Sequence, residues 1–225
     1  MSRMKQTAFL LVGSLLFLAV GARADITIGS PLVQGTYPGT DFCTGCLFAY
    51  EQIPVAAVGQ TVTSWAFYAA ATPTSPAPSG NMITPLIFQS NGGGSFTVVG
   101  IGTTQTSSTP GSIQSHPFGL VSGTDVLAAG DYIGWRDGGT GVGTGNNGSI
   151  SLDLGPPPAG PGVYYFGLPA YTGSVANLDT FSFTNAGTDE RTYSIEFTAT
   201  PEPMYYGVLG MGLTMLLVFR RSLKA

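Results

Sequence analysis

Between residues 25 and 200 the chain has no lysine and only two arginines, Arg136 and Arg191. Eleven acids stand against them, so this stretch carries a formal charge of −9, where the whole chain carries −4. A surface so poor in cations cannot neutralise phosphates, which excludes nucleic-acid binding and predicts repulsion from anionic headgroups. Histidine is nearly absent too: His116 is the only one. With two cysteines it falls short of the four ligands that a structural zinc site needs. No G-x-S-x-G elbow occurs, so the usual serine-hydrolase signature is missing. No stretch of this region keeps a helical period for any length.

What recurs instead is short runs of β-branched and aromatic residues between Gly, Pro and Asn clusters. Residues 60–68 (QTVTSWAFY) alternate, with Val62, Trp65 and Phe67 as expected inward side chains. Residues 82–89 (MITPLIFQ) read as a strand, with Pro85 expected near an edge or a bulge. The turn at 91–94 joins it to residues 96–103 as a hairpin. Residues 131–135 and 149–154 read as further strands, and 163–168 as an extended aromatic stretch. The cleanest period-2 alternation is 191–200 (RTYSIEFTAT), with Tyr193, Ile195 and Phe197 on one face. Segments 72–80, 138–148 and 155–162 read as loops, and 198–202 as a tether. Many short strands with turn signals between them predict an all-β body, a β-sandwich or jelly roll over residues 25–200. Those 176 residues are ample for one packed domain.

Both ends read as targeting segments. Arg3 and Lys5 precede an apolar run over residues 7–21 and the A-x-A site Ala22-Arg23-Ala24. That order is a secretory signal peptide over residues 1–24, with Asp25 as the mature N-terminus. At the other end Pro201-Glu202-Pro203 precedes 16 uncharged residues, 204–219, and then Arg220, Arg221 and Lys224. A bilayer crossing takes about 20 apolar residues, so this run is a short transmembrane helix. Its glycines (Gly207, Gly210, Gly212), its outer Tyr205 and Tyr206, and its basic flank all suit a membrane segment whose cationic end stays cytoplasmic. A C-terminal core helix is the competing reading, and packing gives no reason for the terminal basic cluster.

Pro201-Glu202-Pro203, the hydrophobic helix and Arg220-Arg221 together resemble the PEP-CTERM sorting signal of Gram-negative bacteria, over residues 201–225. The resemblance implies export through the Sec machinery, then recognition by the membrane protease-transpeptidase exosortase. Cleavage near the PEP motif would follow, with transfer from the inner membrane to the cell envelope, surface or an exopolysaccharide matrix. It implies nothing about the activity of residues 25–200.

In an exported chain, Cys43 and Cys46 (Cys43-Thr44-Gly45-Cys46) are expected as a local disulfide closed by the Thr44-Gly45 turn. Free thiols and redox chemistry are the alternatives, and the βαβ setting of a redox motif is absent. Asp131, Asp137 and the loop through Asn146 and Asn147 could give oxygens to calcium, though such residues also serve simply as turns. Trp135 and Trp65, with Tyr164, Tyr165 and Phe166, could stack on sugar rings. Trp135 is expected partly exposed because Arg136 and Asp137 follow it. Glu51, Glu190 and Glu196 could form a hydrolytic carboxylate pair, but eleven acids make some pair inevitable. The expectation is therefore a non-enzymatic exported β-sandwich, structural or adhesive in a biofilm or surface matrix. A carbohydrate-binding module comes second and a secreted hydrolase third.

Overall fold

The reason these short runs become strands is visible in what each one buries. The computed structural model describes residues 24–35, 45–70, 82–138, 150–154, 173–183 and 191–201. Among these, thirteen strands run in order: β1 (Ile26–Gly29), β2 (Leu47–Gln52), β3 (Gln60–Ala69), β4 (Met82–Gly92), β5 (Ser95–Ile101), β6 (Gln105–Thr106), β7 (Ser112–Pro117), β8 (Ser122–Gly123), β9 (Asp131–Asp137), β10 (Leu152–Leu154), β11 (Thr180–Ser182), β12 (Arg191–Tyr193) and β13 (Ile195–Pro201). A single 3-10 turn, Val55–Ala57, links β2 to β3. No helix among the described residues is long and apolar enough to cross a membrane, and residues 202–225 lie outside them.

The body is all-β and sandwich-like. One sheet has the order β1-β13-β3-β7; the larger has β11-β5-β4-β9-β2, with β6 on β4 and β8 on β5; β10 and β12 form a two-stranded ribbon. The pairings of β1 with β13, β10 with β12, β11 with β5, β2 with β9, β3 with β7, β4 with β5, β6 and β9, and β5 with β8 are antiparallel. Residues Asp25–Thr200 form one compact unit.

Between the two main sheets lies the principal core: Ile28, Trp65, Phe67, Ile195 and Phe197 from the smaller sheet meet Phe48, Tyr50, Ile87, Ile133 and Trp135 from the larger. Val62, Trp65 and Phe67 are all buried as expected. Tyr193, Ile195 and Phe197 are buried while Thr192, Glu196 and Thr198 are half-buried, so the alternation read from the sequence holds except at Ser194, expected on the outer face with those three and buried instead. The run is nonetheless two strands. At Ser194 the chain changes partner, from β10 to β1.

The larger sheet departs from simple alternation because both of its faces are covered. A second cluster (Leu47, Ala49, Leu86, Phe88, Phe96, Val98, Tyr132, Val175, Phe181 and Phe183) occupies its other side. Strand β9 is consequently buried at every position, and β4 from Ile83 to Phe88, as expected of strands packed on two faces.

Pro85 sits in β4, which is central rather than at an edge, two residues before a register irregularity at Ile87/Phe88 in the pairing with β5. Its carbonyl accepts the N–H of Gly102 (2.9 Å), opposite the break between β5 and β6. The missing proline N–H therefore faces a gap in the neighbouring ladder, which is how a central strand tolerates it. The β4–β5 hairpin closes as expected through Gly92, Gly93 and Gly94, all at positive φ.

Candidate functional site

The aromatic residues expected to touch sugar are core residues. Trp65 and Trp135 are each 1% exposed. Trp135 stacks on Phe48 at 4.6 Å and meets Tyr50 and Tyr193 edge-on at 5.6 and 4.9 Å. Trp65 stacks on Phe67 at 5.4 Å. No face of either ring is free for a ligand, so the assignment of carbohydrate contact to Trp135 and Trp65 is corrected. The following pair does not pull Trp135 outward, because Arg136 and Asp137 are buried themselves, at 0% and 2%. Arg136 lies under the second cluster and donates from Nη2 to the Gly173 carbonyl (2.9 Å). Tyr164, Tyr165 and Phe166 lie outside the described residues.

Asp131 and Asp137 do not come together as a calcium pair. Asp131 and Asp137 are the first and last residues of β9, so about 20 Å of extended chain separates them. Calcium ligands must stand about 2.5 Å from the ion, and these two cannot share one. Asp131 instead caps its own turn: Oδ2 accepts the N–H of Ala128 at 2.8 Å. Burial pushes its carboxyl above the usual carboxylate range, opposed by that hydrogen bond. Among the described residues no group of three His, Cys, Asp or Glu could hold a metal ion. Asn146 and Asn147 lie outside them.

Cys46 is disulfide-bonded, and the chain holds one other cysteine, Cys43, which lies outside the described residues. Cys46 belongs to the principal core, and its carbonyl accepts the N–H of Asp137 (2.9 Å).

His116 pairs with Trp65 across β3 and β7, 5.6 Å from its ring, and lies 6.1 Å from that of Phe67. Desolvation lowers its pKa. Its buried Nε2 has no hydrogen-bond partner, so no serine or carboxylate engages it there as a triad would require. Of the hydrolytic carboxylates, Glu51 sits on β2 and Glu196 on β13, in different sheets. Burial raises both pKa values, and the Gly29 N–H partly offsets the rise at Glu51. Glu190 is outside the described residues.

Of the tail, Pro201 is the last residue of β13; Glu202, Pro203, Arg220 and Arg221 lie outside the described residues. The expected tether at 198–202 is corrected over 198–201. Thr198 and Ala199 pair with Thr27 and Ile26, and Ala199 is fully buried.

Two polar arrangements were not legible in the sequence. The first joins the Tyr50 hydroxyl to Ser30 and to the Tyr193 backbone. The second is an exposed hydroxyl and amide group: Asn91 Nδ2 donates to Thr97 Oγ1 (2.9 Å), which shares a 2.9 Å hydrogen bond with Thr180 Oγ1. Thr97 and Thr180 are 83 residues apart, and only the β11–β5 pairing brings them together. The chain matches no protein-family model, no curated protein and no solved structure.

Proposed function

We propose that this chain is an exported protein with a signal peptide at 1–24 and a β-sandwich body at 25–200. The tail at 201–225 is sorted by an exosortase-type enzyme to the envelope, the cell surface or the extracellular matrix. The observation that carries the reading is the order of the tail: Pro201-Glu202-Pro203, an uncharged 16-residue run, then Arg220 and Arg221. The body serves there as a non-enzymatic structural or adhesive element. Its charge supports a place there, because a body with eleven acids against two arginines, one of them, Arg136, buried, stays soluble beside anionic envelope components.

Intact mass and cell fractionation of the native protein test the reading. A species beginning at Asp25, ending near Pro203 and recovered in the surface or matrix fraction is the expected result. A species retaining Ala225 in the inner membrane would make the tail a plain anchor. Neutralising Arg220 and Arg221 should leave an unprocessed or mislocalised precursor in a host that carries exosortase.

A further inference from the structure

Three strands of the larger sheet carry uncharged polar side chains on the face that elsewhere packs on the principal core and is here partly exposed. Gln89 of β4 pairs with Thr97 of β5, which pairs with Thr180 of β11. In the next row Gly92 pairs with Ser95, and Ser95 with Ser182. Directly paired residues project to the same side of a sheet. This is the side opposite Phe88, Phe96 and Phe181, which belong to the second cluster. Asn91, Thr180 and Ser182 are exposed there, and Gln89, Ser95 and Thr97 are half-buried.

The face is organised before any ligand arrives. Asn91 Nδ2 reaches Thr97 Oγ1 at 2.9 Å and Ser95 Oγ at 3.5 Å, and Thr97 bonds Thr180 at 2.9 Å. Gln89 Nε2 is fixed on the Ala129 carbonyl (3.2 Å). Every one of these side chains stands on a strand, Asn91 at the hairpin end of β4, and the hydrogen bonds among them leave less rotamer entropy to be lost on binding. Strand spacing makes the Gln89–Thr97–Thr180 row about 10 Å long, close to the length of two linked hexose rings.

The chemistry of the face selects its partner. Its exposed and half-buried members include no cation for a phosphate or an acidic polymer, and the one carboxylate in the row, Asp131 opposite Gln89, is buried and accepts the Ala128 N–H. The face offers hydroxyls and carboxamides, which donate and accept at once, the complement of a surface of neutral hydroxyl groups. We propose that Gln89, Asn91, Thr97 and Thr180 form a docking face for an uncharged polysaccharide. This rests on the matrix reading above for its setting, and it moves sugar contact away from the tryptophans. Binding would be weak per site and would gain from the many repeats of a polymer.

Affinity electrophoresis of the full-length protein in detergent tests the proposal, through gels containing dextran, mannan, galactan or hydroxyethyl cellulose, with alginate as the acidic control. Retardation by at least one neutral polymer and not by alginate is expected. The triple variant Asn91→Ala, Thr97→Val, Thr180→Val should bind that polymer about tenfold more weakly, the loss of two or three hydrogen bonds. Its melting temperature should stay that of the parent, because the substituted side chains lie outside both cores. No retardation by any neutral polymer would overturn the proposal, as would retardation unchanged in the triple variant. So would light scattering that showed the face to join two copies of this chain. A protein that is processed and surface-located yet fails to bind would overturn this inference alone and leave the sorting reading standing.

Discussion

The hydroxyl of Tyr50 is tied to the backbone of Tyr193, 143 residues away: it donates to the Tyr193 carbonyl at 3.2 Å and accepts the Tyr193 N–H at 3.0 Å. Ser30 Oγ stands at 2.6 Å from the same oxygen. One side chain from the edge of the larger sheet thus satisfies backbone groups where β12 gives way to β13. The two rings meet edge-on at 5.6 Å. Tyr50→Phe keeps the ring and orphans these partners, so it should cost about 1–3 kcal/mol in urea unfolding, more than a surface Tyr→Phe change.

The same burial sets a pH limit. Desolvation outweighs the hydrogen bonds of Ser30 and Tyr193 and pushes the Tyr50 pKa from 10.0 to about 12. In the unfolded chain the phenol ionises near 10 while the folded protein still holds the proton. The contribution is complete below pH 10 and is lost as pH rises toward 12. Tyrosinate absorbance at alkaline pH should show a late-titrating component that is missing in Tyr50→Phe.

Because Trp65 and Trp135 are the only tryptophans and both are buried, emission of the folded protein should be blue-shifted and poorly quenched by acrylamide. Urea should shift it red in one step with unfolding. Trp135→Ala should cost about 3–5 kcal/mol by opening a cavity under Phe48 and Tyr193. Strong quenching in the native state would contradict the packing described for these rings.

Gly134 lies between Phe48 and Phe88, and a Cβ there would overlap the Phe48 carbonyl oxygen and approach Phe88 Cε2 to 2.8 Å. Backbone cannot give way as a flexible side chain can, so Gly134→Ala should cost about 3 kcal/mol, at the upper end of overpacking. The midpoint of chemical denaturation measures it. Gly92 and Gly93 also resist substitution, but through positive φ alone, since nothing lies within 4 Å of an added Cβ.

Asp131 is buried, and its carboxyl is raised by desolvation. A raised carboxyl pKa means that the folded state holds its proton longer than the unfolded one. The stabilising difference is therefore present below the ordinary value near 4 and is lost as pH climbs through the folded pKa. Asp131→Asn retains an oxygen for the Ala128 N–H and removes the charge. Its stability relative to the parent should rise between pH 4 and pH 7, read as a growing difference in urea midpoint.

Much of the architecture was written locally. The alternation of 191–200 was legible because β13 buries one face and leaves Glu196 and Thr198 half-exposed, so its pattern depends on neighbours two residues away. The hairpin at 91–94 was legible because three consecutive glycines supply the positive φ of the turn. The separation of Asp131 from Asp137 was not legible, because the sequence pattern ends the strand at Trp135 and the strand runs on through Asp137. The fate of Trp135 did not follow, since its strand has a covered face on each side. Arg136 and Asp137, ordinarily outward signals, are buried with it.

By itself the sequence determined the strand-rich body, its acidic and lysine-free surface, and the tripartite tail, because these depend on composition and short-range order. Only the tertiary structure decided that Trp135 is core, that Pro85 can sit in a central strand, and that Thr97 and Thr180 share one polar face. Each of those depends on a pairing between distant segments. In a sheet buried on both sides, residue type no longer reports the direction of a side chain; the neighbouring strand and the layer above it do.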